Sequence, residues 1–229
     1  MIDHIDFWIS WLQPRRAKRL LQTTGAWPDH GPFVVIGTHY GCGFMLMRAL
    51  HHANVNPFFI IRKTPSHHYR GHRILQLYAY FRLRYHKRLF PGKCYHPGTF
   101  PRKLLRGLDQ GNNILVLVDV PAERGRPCNT LTLFGHEAYI DRGMFNLLIK
   151  RHLSYVTYQT SIEFDDGQRE LIIHSARQTE SSSVFWSKMN EHINNVLAQD
   201  SSQWHLWQVA GLYFIKHSKT RAGKEGECK

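Results

Sequence analysis

The chain has 229 residues, 42% of them hydrophobic and 13% aromatic, with a formal net charge of +13. That length suits one compact domain with a sizeable core, and the aromatic content excludes a disordered polymer. The four cysteines, Cys42, Cys94, Cys128 and Cys228, form no CxxC pair, which excludes a zinc ribbon or disulfide scaffold and fits a reducing compartment.

Residues 1–22 are expected to form an amphipathic helix, with Ile2, Ile5, Phe7, Trp8, Ile9, Trp11 and Leu12 followed by Pro14 and the cations Arg15, Arg16, Lys18 and Arg19. Such a helix either lies in a membrane interface or packs on the core. Its acids come before the apolar stretch and its cations after, the reverse of a signal peptide. No apolar run reaches the ~20 residues that cross a bilayer. The run FVVIG (33–37) reads as a buried strand, PFFII (57–61) as a second, and 67–86 as a helix. A short helix is expected over 101–109 with Gly111 closing it, then the strand ILVLVD (114–119), a polar loop over 120–129 and the strand TLTLF (130–134). A helix over 142–152 precedes two antiparallel strands, 154–164 and 169–175, joined at Asp165-Asp166-Gly167. Helices over 183–200 and 203–214 follow, and the polar segment 216–229 reads as a flexible tail. Alternating strands and helices predict one α/β domain over 23–215 with a mostly parallel central sheet.

The positive charge is concentrated. Between His30 and Leu108 there is no Asp or Glu, whereas Arg48, Arg62, Lys63, Arg70, Arg73, Arg82, Arg84, Lys87, Arg88, Lys93, Arg102, Lys103 and Arg106 all fall in that span. A one-signed stretch draws anionic partners, whether lipid headgroups, a phosphorylated substrate, an acidic carrier protein or nucleic acid. The chain shows no RNA- or DNA-reading motif, so a nucleic-acid-binding basic domain ranks last.

The strongest local feature is Gly37-Thr38-His39-Tyr40-Gly41-Cys42-Gly43, where a buried strand gives way to a helix. Gly41 and Gly43 permit a tight turn and close approach of a ligand, and the helix N-terminus suits an anion or oxyanion. His39 there is a candidate general base. Asp119 ends a buried strand, a favoured functional position, although a turn cap accounts for it equally. Arg62, Lys63, Arg124 and Arg142 stand at strand and helix ends, where they could clamp an anionic group. His67, His68 and His72 include a helical i, i+4 pair but have no Asp, Glu or Cys near in sequence, so no metal is expected. His136 and Asp141 share the spacing of a base and its acid, but Asp141 reads better as the cap of the helix after it.

These blocks, in this order, resemble the bacterial lipid A late acyltransferases of the lysophospholipid-acyltransferase-like superfamily. The resemblance runs over about 30–214. It rests on Thr38-His39-Tyr40-Gly41, on FFIIR (58–62), on ILVLVDVPAERGRPCNTLTLFG (114–135), on Arg142-Gly143 and on Gln203-Trp204-His205-Leu206-Trp207. It implies a glycerolipid-acyltransferase-like fold and transfer of a fatty acyl group, with no cofactor, from acyl carrier protein or a coenzyme A thioester. The acceptor would be a hydroxyl or amine of a lipid-like molecule, at the cytoplasmic face of an anionic membrane. In the family the histidine takes the acceptor proton and a carboxylate five residues later orients it. Here that position holds Phe44. Three substitutes are conceivable: Glu123 approaching from the later loop, a backbone carbonyl, or Cys42 as nucleophile with His39 as partner. Without a substitute the chain would be a silent homologue that binds lipid or carrier protein.

Overall fold

The computed structural model describes residues 2–60, 72–95, 100–123 and 128–215. Arg62, Lys63, His67, His68, Arg124 and the tail 216–229 therefore lie outside the described residues. The amino-terminal segment is two helices, α1 (Ile2–Leu12) and α2 (Pro14–Leu20), followed by the short strand β1 (Leu21–Thr24). Pro14 stands at the start of α2, where its missing N–H costs nothing, so the single helix expected over 1–22 is interrupted there.

Next come β2 (Phe33–Gly37), α3 (Gly43–His52), β3 (Phe58–Ile60), α4 (Arg73–Leu89), β4 (Cys94–Tyr95), α5 (Phe100–Asp109) and β5 (Ile114–Leu117). The hairpin β6 (Cys128–Leu133) and β7 (His136–Asp141) precedes α6 (Gly143–Lys150). The antiparallel pair β8 (Ser154–Ile162) and β9 (Arg169–Ile173), the bridge strand β10 (Arg177–Gln178) and α7 (Ser182–Gln199) follow. The helix expected over 203–214 is instead two 3₁₀ helices, Ser201–Gln203 and Trp207–Phe214, with Trp204 between them bridged to Tyr40.

The main sheet runs β1-β9-β8-β2-β5-β3-β4, with β10 beside the start of β8. All neighbouring pairs along that order are parallel except β8–β9. The fold is thus a single α/β domain with a mostly parallel central sheet flanked by helices. Alternation along the central strands divides the core into two layers. Val34, Ile36, Ile114 and Val116 face α6 and α7 through Phe145, Leu148, Phe185 and Ile193. Phe33, Val35 and Leu115 face the opposite way, toward Leu46 and Leu50 of α3, Phe7 of α1 and Tyr85 and Leu89 of α4.

Helix α1 is inverted relative to a surface helix. Asp6 and Ser10 are fully buried, Asp6 in an ion pair with Arg169 at 2.6 Å and Ser10 donating to the Met45 sulfur at 3.3 Å. Ile5, Trp8 and Leu12 are exposed. Phe7 is buried against Phe44, Tyr78 and Tyr85, which ties the helix to the same core as the sheet.

Candidate functional site: a His39–Asp119 pair at the sheet's carboxyl edge

Strands β2 and β5 lie side by side in parallel, with Val34 opposite Ile114 and each later residue in step through Gly37 opposite Leu117. Val118 N–H donates to the Gly37 carbonyl at 2.8 Å, extending the ladder one step. Carried two residues beyond the strand ends, that register sets His39 beside Asp119. The chain leaving β2 goes to α3 on one face of the sheet, and the chain leaving β5 goes to α6 on the other. In an open α/β sheet the carboxyl edge where two strands diverge in this way is the usual site location.

Asp119 is fully buried and accepts three hydrogen bonds on its carboxylate. The His39 ring Nδ1 lies 2.9 Å from Oδ1, the His39 backbone N–H donates to Oδ2 at 2.8 Å, and Trp204 Nε1–H donates to the same oxygen at 2.9 Å. Burial by itself would push the Asp119 carboxyl up, but the adjacent His39 charge and these donors outweigh it and hold it below its ordinary value. The ionised carboxylate can only accept, so Nδ1 carries a proton in both ring states, and in the neutral ring the lone pair is left on Nε2. The His39 side chain is 34% exposed, so the ring is held at Nδ1 by a buried carboxylate while part of it stays accessible, an arrangement suited to general-base chemistry.

The backbone that carries the ring is fixed from several sides. His205 N–H donates to the His39 carbonyl at 2.8 Å, the Thr160 hydroxyl to the Tyr40 carbonyl at 2.6 Å, and Gly41 N–H to the Gln203 carbonyl at 3.1 Å. Gly41 has φ +62°, and a Cβ there would lie 2.2 Å from the Thr160 carbonyl oxygen, so this corner requires glycine for both conformation and space. Tyr213 O–H donates to the Asp119 carbonyl at 2.5 Å, closing the far side.

Of the remaining candidates, Gly43 opens α3 with clear space around it. Phe44 is buried among Phe7, Tyr85 and His86, so the position that holds the acid in the resembled family belongs here to the core. Glu123 is half-buried in the loop after β5, and the carboxylate that meets Nδ1 is that of Asp119. Cys42 is fully buried with its thiol directed at the Ser161 and Glu170 carbonyls, which removes it as a nucleophile. Arg142 is exposed at the head of α6. Asp141 does act as a cap, its Oδ1 accepting the Gly143 N–H at 2.7 Å. His136 lies at the exposed start of β7. Among the described residues no cluster of His, Cys, Asp or Glu could hold a metal ion.

Trp204 and Tyr213, which bond to Asp119, are residues that the sequence did not single out as part of the site. The only available signal was their place in an aromatic-rich block of unexplained purpose.

No family model matches the sequence, and no curated protein does. Among solved structures the chain is similar to the crystal structure of the 1-acyl-sn-glycerophosphate acyltransferase PlsC from Thermotoga maritima. The TM-score is 0.48 and the identity 13%, over 82% of this chain and 77% of that one.

Proposed function

We propose that the protein is an acyltransferase of the lysophospholipid-acyltransferase-like superfamily. It moves a fatty acyl group from a thioester of acyl carrier protein or coenzyme A to a hydroxyl or amine of a lipid-like acceptor. The observation that carries this reading is the His39 ring, one-third exposed and backed by a buried carboxylate. In the proposed step Nε2 takes the proton of the acceptor O–H or N–H as that atom attacks the thioester carbon. Collapse of the tetrahedral intermediate breaks the C–S bond, and the imidazolium returns the proton to the departing thiolate. Asp119 stabilises the imidazolium formed in between without itself taking a proton, as the acid does in serine hydrolase triads. The order of the sequence blocks around this pair supports fatty acyl chemistry over the other uses of a His–Asp pair.

The reading places the reaction at an anionic membrane surface. Two features support this: the outward apolar face of α1 and the exposed cations of α2, Arg15, Arg16, Lys18 and Arg19. The silent-homologue alternative draws its support from Phe44, and the contact between Asp119 and the ring supports the active reading over it.

The test is thioester consumption with a lipid acceptor mixture. Wild type is expected to release free thiol from acyl carrier protein or coenzyme A donors, and His39→Ala to reduce release to the buffer rate. Equal release by wild type and His39→Ala would overturn the reading.

A further inference from the structure

Among the described residues, most exposed large apolar side chains gather in two places. One is the face of α1 and α4; the other lies near the His39–Asp119 pair and includes Val120, next in the chain to Asp119, with Phe134 and Trp207. The second group is joined to the pair through Trp204. Its indole N–H is bonded to Asp119, while its ring lies 5.8 Å from Phe134 and 5.3 Å from Trp207. Phe134 and Trp207 stack on each other at 5.1 Å with 27° between planes. The result is an aromatic shelf that begins one side chain from the reacting base.

Two features indicate what the shelf receives. The first is that both indole N–H groups are spent within the protein, Trp204 on Asp119 and Trp207 on the Ser201 carbonyl at 2.6 Å. Trp207, which is exposed, therefore offers a hydrocarbon face rather than a donor, and Trp204 is buried against it. The second is the backbone at Phe134, which opens the β6–β7 turn with φ +52°. Asn, Asp or Gly adopts that conformation readily, whereas a bulky residue there costs on the order of 1 kcal/mol. Phe134 is 38% exposed, so its contacts with Trp204 and Trp207 leave part of the ring uncovered. A strained, exposed aromatic beside a catalytic pair is the pattern of a residue kept for what it touches from outside.

We propose that this shelf binds the hydrocarbon chain of the acyl donor, laying it across Phe134 and Trp207 with the thioester carbon at His39. The inference rests on the acyltransferase reading and extends it by locating the acyl subsite. Each methylene removed from water contributes about 0.8 kcal/mol when fully buried, so affinity should rise with chain length until the shelf is covered.

The test measures dissociation constants for coenzyme A and its butyryl, octanoyl and lauroyl thioesters. Wild type and His39→Ala should both tighten at least about tenfold from butyryl to lauroyl. Phe134→Asn and Trp207→Ser should flatten that trend, and Phe134→Asn should melt no lower than wild type because Asn suits the turn. A trend that persists in both variants overturns the proposal. So does free coenzyme A binding as tightly as lauroyl-coenzyme A, since the shelf would then be stacking the nucleotide base. Failure of lauroyl-coenzyme A and lauroyl-acyl carrier protein alike to bind overturns it too. The chemistry fails separately: if the trend holds but His39→Ala leaves thiol release unchanged, the shelf stands and the catalytic reading falls.

Discussion

At the scale of single residues, the carboxylate that backs His39 comes from a neighbouring strand rather than from the next turn of the following helix. Asp119→Asn should therefore lower proposed thiol release by about 10²–10⁴-fold while leaving the fold intact, because an amide cannot select the same tautomer or stabilise an imidazolium. Restoring an acid at the helical position should not compensate. Phe44→Glu buries a charge among Phe7, Tyr85 and His86 and should lower the melting temperature, at a cost of several kcal/mol, without raising turnover. Steady-state kinetics and thermal melts on the two variants check both outcomes. His39 was legible in the sequence from its glycine-flanked turn, and Asp119 from its strand end. Their partnership was not, since a search five residues downstream finds only Phe44. The missing step was to set FVVIG and ILVL as adjacent parallel strands, for which no local signal exists.

Among the elements, the principal strands could be read from short β-branched runs, whereas β1, β4 and β10 are too brief or polar to carry a pattern. Strand β7 does alternate, with Ala138 and Ile140 inward, but a reading of His136 and Asp141 as spaced partners hides it. Helix α1 shows what periodicity leaves open. Its two faces are evident from sequence, but the polar one points inward because Asp6 meets Arg169, a partner 163 residues away. The outward stripe of Ile5, Trp8 and Leu12 continues over Ile74, Leu77 and Tyr80 of α4, with Phe81 packed against Trp8 and Trp11. Vesicle sedimentation should show preference for phosphatidylglycerol-containing over pure phosphatidylcholine membranes, reduced but not abolished by added salt. Trp8→Ser with Leu12→Ser should weaken that binding several-fold without a lower melting point, since neither side chain is in the core. Unchanged binding in the double variant would separate this face from any membrane.

For the whole molecule, buried imidazoles set an acid limit on stability. His86 is buried on α4 against Phe44 and Phe59, and burial, reinforced by Arg82, pushes its pKa down to about 3. Burial and the neighbouring His174 push His192 down to about 4. In the unfolded chain both groups titrate near 6.5, so below that pH the unfolded state binds protons that the folded state refuses. Their contribution is complete above about pH 6.5 and is lost as pH falls toward the folded values, at up to about 1.4 kcal/mol per unit for each group. Urea midpoints measured between pH 7.5 and 5 should fall accordingly, and His86→Phe should flatten the slope. The same long-range assembly governs readiness for chemistry. Asp119 takes one of its donors from Trp204 and has its carbonyl capped by Tyr213, both contributed by a stretch translated after every strand of the sheet. A nascent polypeptide can thus complete its sheet strands before the residues that back Asp119 have been made, so on the proposed reading competence would arrive late in synthesis.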